Sequence, residues 1–311
     1  MKLSELPLQD EFSVLTDADI QSFALIDEVT LQNALTYIES TKYLNQLYQN
    51  RSIAAVCASA EVAEAIDCEK YVRGIIRANE SPKKLFYKLH NQLVWRGDFY
   101  KAFSAPTFIA DSAQISEFAH IASHGVKIGE RTVIDAGAVI MPGSTIGEDC
   151  FVGANTTIGG RGFQYYRDTE EVFYIEHIGG VNIGDRVEVF SNSCIASGLF
   201  TPTTIGNDTK IDNLVHIAHS DKIGERCFIP AGVTLGGSVT VEDDAWIGMG
   251  ACVKQKIHVG NHAIVSLGAG VYHNIGDYEI RAGNPDKVIG RSIIREDGSQ
   301  GHELYIHQKQ T

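Results

Sequence analysis

His219 is the residue from which chemistry is most readily built. It stands two positions past Ile217 in KIDNLVHIAHSDKIG. Around it an aliphatic residue returns every sixth position: Ile205, Ile211, Ile217, Ile223, Ile229, Leu235, Val241, Ile247, Val253, Val259, Val265, Val271. Neither an amphipathic helix nor an alternating strand has a six-residue beat; the hexapeptide parallel β-helix does. Three hexads make one triangular coil of eighteen residues, so each side chain lies over the one eighteen positions on. Gly237 is then one coil beyond His219, and Ser197 one coil before it, once the four extra residues at Leu199–Pro202 are allowed for. Imidazole titrates near neutrality and can serve as general base. A backbone amide can hold the oxygen of a tetrahedral intermediate. A lone histidine among eleven is more often structural; the column and the surrounding segment tip the balance.

The scaffold for this pair can be read in chain order. Residues 1–100 lack the beat and form a separate α/β domain. There, Val29–Leu47 reads as helical, Ser52–Cys57 as a buried strand and Arg73–Ile76 as another. Ser81 caps a helix over Pro82–Trp95, with proline at its first position. Tyr37 and Tyr43, six apart in ALTYIESTKYL, read from the residues alone as amphipathic core tyrosines. The β-helix domain is assigned to 101–275. Its beat starts at Ile109, slips by one residue after Ile121, runs from Ile128 to Ile158 and resumes at Ile183. The interruption, a loop over 159–181, carries Phe163, Tyr165, Tyr166, Phe173 and Tyr174, too many aromatics for a loop that covers nothing. Twenty-four hexads predict about eight coils. Residues 276–311 are expected to cap the open end, as repeat arrays require, with a fraying polar tail from Glu296.

Composition sets outer limits. With 311 residues, 44% hydrophobic and 21% charged, the chain reads as an ordinary soluble protein. No apolar run reaches the length of a membrane span and the N-terminus lacks signal-peptide order, so a cytoplasmic protein is expected. A formal charge of -13 argues against a nucleic-acid partner. The six cysteines lack metal-ligand spacing and read as reduced core or corner residues; no metal is expected.

KIDNLVHIAHSDKIG, the GFQY loop after IGG and ALTYIESTKYL together resemble the UDP-3-O-acylglucosamine N-acyltransferases of lipid A biosynthesis, over about residues 20–270. The resemblance implies a left-handed β-helix, a homotrimer and a uridine-binding N-terminal domain; sites between subunits are expected because one coil face cannot enclose a sugar nucleotide. It makes His219 the base and Gly237 the oxyanion amide. Tyr37 and Tyr43 become the uracil platform, joined as substrate-binding candidates by Phe163, Tyr165 and His216. Ser40 and Lys256 stand where that family has Asn and a second His, and IASG at Ile195–Gly198 replaces IDRG. The ending IRAGNPDKVIG is instead similar to CoA-dependent sugar-nucleotide N-acetyltransferases. That likeness implies an acyl-CoA donor, with Gly250, Ala251, Lys256, Ala282, Gly283, Asn284 and Pro285 as its contacts. Lys254, Lys256, Arg281, Lys287 and Arg291 would supply positive charge for its phosphates. The leading expectation is N-acyl transfer from acyl-CoA to a nucleotide-linked amino sugar. The alternatives are the lipid A enzyme, using 3-hydroxyacyl carrier protein, and a noncatalytic trimeric scaffold.

Overall fold

The computed structural model describes residues 1–71, 73–100, 103–294 and 300–305. They form two compact units, Met1–Lys101 with Gln164–Glu176, and Ala102–Phe163 with His177–Thr311.

In the second unit each hexad is a short strand whose aliphatic residue points inward, and successive coils stack in parallel register. Ile211 pairs with Ile229, Ile217 with Leu235 and Ile223 with Val241. The result is a left-handed parallel β-helix with three faces of eight strands each, hence eight coils. The first face runs from Phe108–Ile109 to His258–Val259, the second from Gln114–Ile115 to Ile264–Val265, the third from His120–Ile121 to Gly270–Val271. Its core is one continuous column of aliphatics from Val126 to Ile275, with Cys150 and Cys227 among them. Each corner turns through a left-handed residue, such as Ser220, Ser238 and Lys256 at φ 62°, 62° and 61°. Glu279–Ala282 extends the second face in parallel, and Lys287–Ile294 and Gln300–Leu304 add to it antiparallel as a cap. The tail expected to fray from Glu296 lies partly outside the described residues, and the part that is described, Gln300–Leu304, is a strand.

The first unit is a small α/β domain. Five strands, β1 (Phe12–Thr16), β2 (Ser22–Phe23), β3 (Ala34–Ile38), β4 (Ile53–Ala58) and β5 (Gly74–Ala78), lie in the order β1-β5-β4-β3-β2, with only β1 antiparallel to its neighbour. Three helices follow the strands, α1 (Leu44–Gln49), α2 (Ala60–Glu64) and α3 (Pro82–Arg96). Ser81 caps α3 by accepting from the Lys84 N–H, and Gly97 ends it in the left-handed conformation. The helix expected over Val29–Leu47 is corrected: Ala34–Ile38 is an inner strand, buried beside β4, and only Leu44–Gln49 is α-helical. Five apolar or β-branched residues offered a central sheet position outweigh weak helical composition.

The long interruption of the beat becomes a hairpin, Tyr165–Arg167 against Val172–Tyr174. Residues 164–176 group with the first unit, a correction to the expected placement of the whole loop over 159–181 with the coils. Side chains on α3 account for this. The Lys84 ammonium, itself buried, lies 3.1 Å from Asp168, 3.3 Å from Glu170 and 2.9 Å from Glu171. Asn91 donates to the Tyr174 carbonyl and accepts from the Glu176 N–H, while His90 Nε2 meets the Glu176 carbonyl at 2.8 Å.

Candidate active site

The strand pairing confirms the column arithmetic behind the site. Cys194 and Ile195 pair with His216 and Ile217, which pair in turn with Thr234 and Leu235. Counting on by two places Ser197, His219 and Gly237 at successive levels of one corner, where the third face turns into the first.

His219 is tightly enclosed there. A Cβ added to Gly237 would stand 2.6 Å from His219 Nε2, and one added to Gly162 would stand 2.7 Å from His219 Cβ and 2.5 Å from His177 Nε2. Neither glycine has a positive φ, so both are needed for space rather than for backbone conformation. The His177 ring meets His219 edge-on, with centroids 5.1 Å apart at 65°. His219 Nδ1 is buried without a hydrogen-bond partner among the described residues. Nε2 is the ring nitrogen on the Gly237 side. Burial, and secondarily the neighbouring His216, hold the His219 pKa below its ordinary value, so the ring is a neutral base at pH 7. His216 is exposed on the strand, its own pKa lowered by desolvation.

The amide of Gly237 is available. Among the described residues no carbonyl or side chain accepts from its N–H, while its carbonyl accepts from the Lys256 N–H at 3.0 Å. Lys256, expected near a donor, thus lies one coil above the oxyanion candidate. Beneath the corner, Asp221 is fully buried. Its carboxyl accepts from the Ala218 N–H at 3.1 Å and the Val239 N–H at 2.8 Å, fixing the turn that bears His219 to the next coil. Burial raises its pKa well above the ordinary carboxylate value, against the lowering effect of the donating amides. Sequence reasoning missed Asp221, His177 and Gly162. Their signal was present only as the AHSD tetrapeptide and the glycines flanking the interruption.

Both interruptions of the beat converge on this corner. The Ile178 N–H donates to the Leu199 carbonyl at 2.8 Å and the Gly179 N–H to the Gly198 carbonyl at 2.9 Å. The Thr201 carbonyl comes so close to Gly179 and Gly198 that neither position has room for a Cβ. Ser220, next to His219, accepts from the Leu199 N–H and donates its own N–H to Thr203 Oγ1.

Other predicted residues lie elsewhere. Gly250 stands at the corner after Trp246–Ile247, where the second face turns into the third, on a different edge from His219. Ala251 is fully buried in the coil core, so its methyl cannot line a donor site. Ala282–Pro285 form a turn that seals the last coil: the Gly270 N–H donates to Gly283, Asp286 returns its N–H to Gly270, and Asn284 fills the space beside Gly270. Arg281 is held by Glu279 at 2.7 Å and Asp286 at 2.8 Å, so its charge is already matched. In the first unit, Tyr37 is half-buried, its ring 5.0 Å from Phe86 and 5.8 Å from Tyr87. Tyr43 is exposed, with Lys42 Nζ 4.8 Å from its ring centre. Phe163 is 88% exposed, and Tyr165 packs edge-on against Tyr174. No group of three or more metal-binding side chains occurs among the described residues, and no helix among them is long and apolar enough to cross a membrane.

Known proteins share this architecture. The model of the bacterial transferase hexapeptide (six repeats) matches residues 125–160 and 202–237, and that of the hexapeptide repeat of succinyl-transferase matches 222–255. Among solved structures, the UDP-N-acetylglucosamine acyltransferase of Francisella novicida is 26% identical with a TM-score of 0.51, over 60% of this chain and 68% of that one. The Campylobacter jejuni enzyme of the same name is 24% identical with a TM-score of 0.52, over 60% and 73%, a likeness of fold. A UDP-3-O-acylglucosamine N-acyltransferase of Wolinella succinogenes is 38% identical over 160 residues, 51% of this chain and 50% of the relative. The chain spans about half the length of this and other curated relatives it matches. With the Helicobacter pylori protein of that name (strain HPAG1) the match extends to 273 residues at 30% identity, 77% of this chain and 76% of the relative. Spanning the α/β unit as well as the coils, that match shows that the chain belongs to the UDP-3-O-acylglucosamine N-acyltransferase family.

Proposed function

We propose that the protein transfers an acyl group from a thioester to the amine of UDP-3-O-acylglucosamine or a close relative, in the cytoplasm. The observation that carries this reading is the enclosed His219 pressed against Gly237, whose amide no other group among the described residues claims. The substrate class comes from the names of the relatives. The amine attacks the thioester carbonyl carbon while His219 Nε2 takes its proton, and the Gly237 N–H donates to the oxygen as it becomes anionic. Collapse of the tetrahedral intermediate breaks the C–S bond. The thiol leaves with the proton returned by His219, and no acyl-enzyme forms.

For the donor we favour an acyl carrier protein thioester over the acyl-CoA expected from the chain's ending. Family membership favours it, and the features that pointed to CoA are spent otherwise. Arg281 is neutralised, the AGNP turn caps the coil, and Gly250 occupies another edge. We also propose a homotrimer. Phe118, Leu214, Met249 and Leu267 expose apolar surface along the edge between the second and third faces, which a neighbouring copy would cover. Tyr43, with Lys42, is the proposed uracil contact, and Tyr37 its support from within the domain.

The test is one assay with UDP-3-O-acylglucosamine and equal concentrations of a 3-hydroxyacyl carrier protein and the matching acyl-CoA. Turnover at least tenfold faster with the carrier protein is expected. Faster turnover with CoA would restore the acyl-CoA reading, and none with either would remove the enzyme assignment.

A further inference from the structure

Resting on the acyl-transfer reading, we propose that His177 is a positioning residue for the base, a second imidazole that holds the His219 ring with Nε2 turned toward the Gly237 amide.

The two rings meet edge to face, with centroids 5.1 Å apart at 65°. That is the arrangement in which an aromatic edge restrains a neighbouring ring without blocking its nitrogens. His177 is itself restrained on both sides. The residues after it, Ile178 and Gly179, donate to the Leu199 and Gly198 carbonyls at 2.8 and 2.9 Å. Before it in the chain, Gly162 crosses so closely that a Cβ there would stand 2.5 Å from His177 Nε2 and 2.7 Å from His219 Cβ. The pair of rings therefore sits in a slot with glycine on either side, Gly162 and Gly237, and neither wall can gain a methyl without moving an imidazole.

This restraint has work to perform. A catalytic imidazole is ordinarily held by a hydrogen bond from its second nitrogen to a carboxylate or carbonyl. His219 Nδ1 has none among the described residues, and Asp221, the nearest carboxyl in sequence, spends its oxygens on Ala218 and Val239 instead. Packing must supply the orientation that hydrogen bonding does not, and His177 is the ring in contact.

The experiment compares His177→Ala, His177→Phe and His177→Gln in the full chain, by steady-state kinetics and by NMR of selectively labelled histidine with His219 assigned by its own substitution. Loss of positioning by about 1 Å costs on the order of a hundredfold in rate. His177→Ala is expected to lower kcat by about ten- to a hundredfold with KM for both substrates changed less than twofold, and to shift and broaden the His219 ring resonances. His177→Phe, which keeps a flat edge, is expected to recover most of kcat and the wild-type resonances; His177→Gln is not. Unchanged His219 resonances in folded His177→Ala overturn the proposal, as does recovery by Gln but not by Phe, which would make His177 a hydrogen-bonding group. If His177→Ala does not fold, the Phe and Gln variants decide by the same criterion. The resonances report on positioning even if the wild-type protein transfers no acyl group, so failure of the functional reading and failure of this inference are distinguishable.

Discussion

Two corners of the β-helix use the same turn for different ends. Where the first face turns into the second, four of the residues that stand two past an inner aliphatic have their amides claimed by a side chain one coil on. Glu148 donates to Asp185 Oδ1 at 2.9 Å, Asp185 to Asn207 Oδ1, Glu225 to Asp243 Oδ1 and Asn261 to Asp277 Oδ1, each at 2.8 Å. Arg131, Arg186 and Arg226 clip the outside of that edge to Asp149, Asp208 and Asp244. Where the third face turns into the first, the residue equivalent to Glu225 is Gly237. Its amide has no acceptor among the described residues, and the imidazole of His219 lies against it from one coil before. Satisfying corner amides stabilises a coil; leaving one open beside a base prepares it for a substrate oxygen.

The largest expected effect is on the base. His219→Ala should lower kcat by about 10²–10⁴-fold, the usual share of general acid–base catalysis. Full activity in that variant would dissolve the contrast between the corners.

Gly237→Ala and Gly224→Ala set the two corners against each other. The first places a methyl against His219 Nε2 and the second against Asp243. Gly237→Ala should cost on the order of a hundredfold in kcat by displacing the base. Gly224→Ala should leave kcat within about twofold and instead lower stability by about 1–3 kcal/mol, as overpacking does. Denaturant melts run beside the kinetics would show whether the two losses separate in this way.

Asp221→Ala removes a buried acceptor and strands two amides, for an expected loss of about 1–3 kcal/mol on denaturant unfolding. Its effect on kcat should follow from the loosened His219 turn and be smaller than that of Gly237→Ala.

The pH profile sharpens the electrostatic side. The folded-state pKa of His219 is depressed, so the acid limb of kcat/KM should fall below the ordinary histidine value of about 6.5. His216→Ala should move that limb upward, since His216 contributes to the depression. By linkage, the unfolded chain binds this proton more readily than the folded one. Stability attributable to His219 should therefore be unaffected above about pH 6.5 and fall as pH drops from there toward the depressed value.

The smallest effect is expected in the α/β unit, where Tyr43→Ala should raise the acceptor KM about two- to tenfold, the equivalent of one stacked ring. No change in KM would remove Tyr43 from the nucleotide site.

The sequence by itself determined the coil and the column. A six-residue beat needs only local backbone geometry and a narrow core, so the register that brings His219 over Ser197 and under Gly237 could be counted, including the four-residue break at Leu199–Pro202. The capped helix from Pro82 was legible for the same local reason, through Ser81 and proline. What tertiary structure decided lies where the period stops. The strand at Ala34–Ile38 depends on sheet partners whose pull exceeds local propensity. The hairpin's grouping with α3 depends on Lys84 and Asn91, more than seventy residues earlier in the chain. The return of His177 and Gly162 onto His219 depends on two separate interruptions packing together, and the burial of Asp221 on an amide in the next coil. Periodic contacts repeat at one sequence separation and can be read from it. Contacts between aperiodic segments are selected by shape and polarity only once the coil exists to receive them.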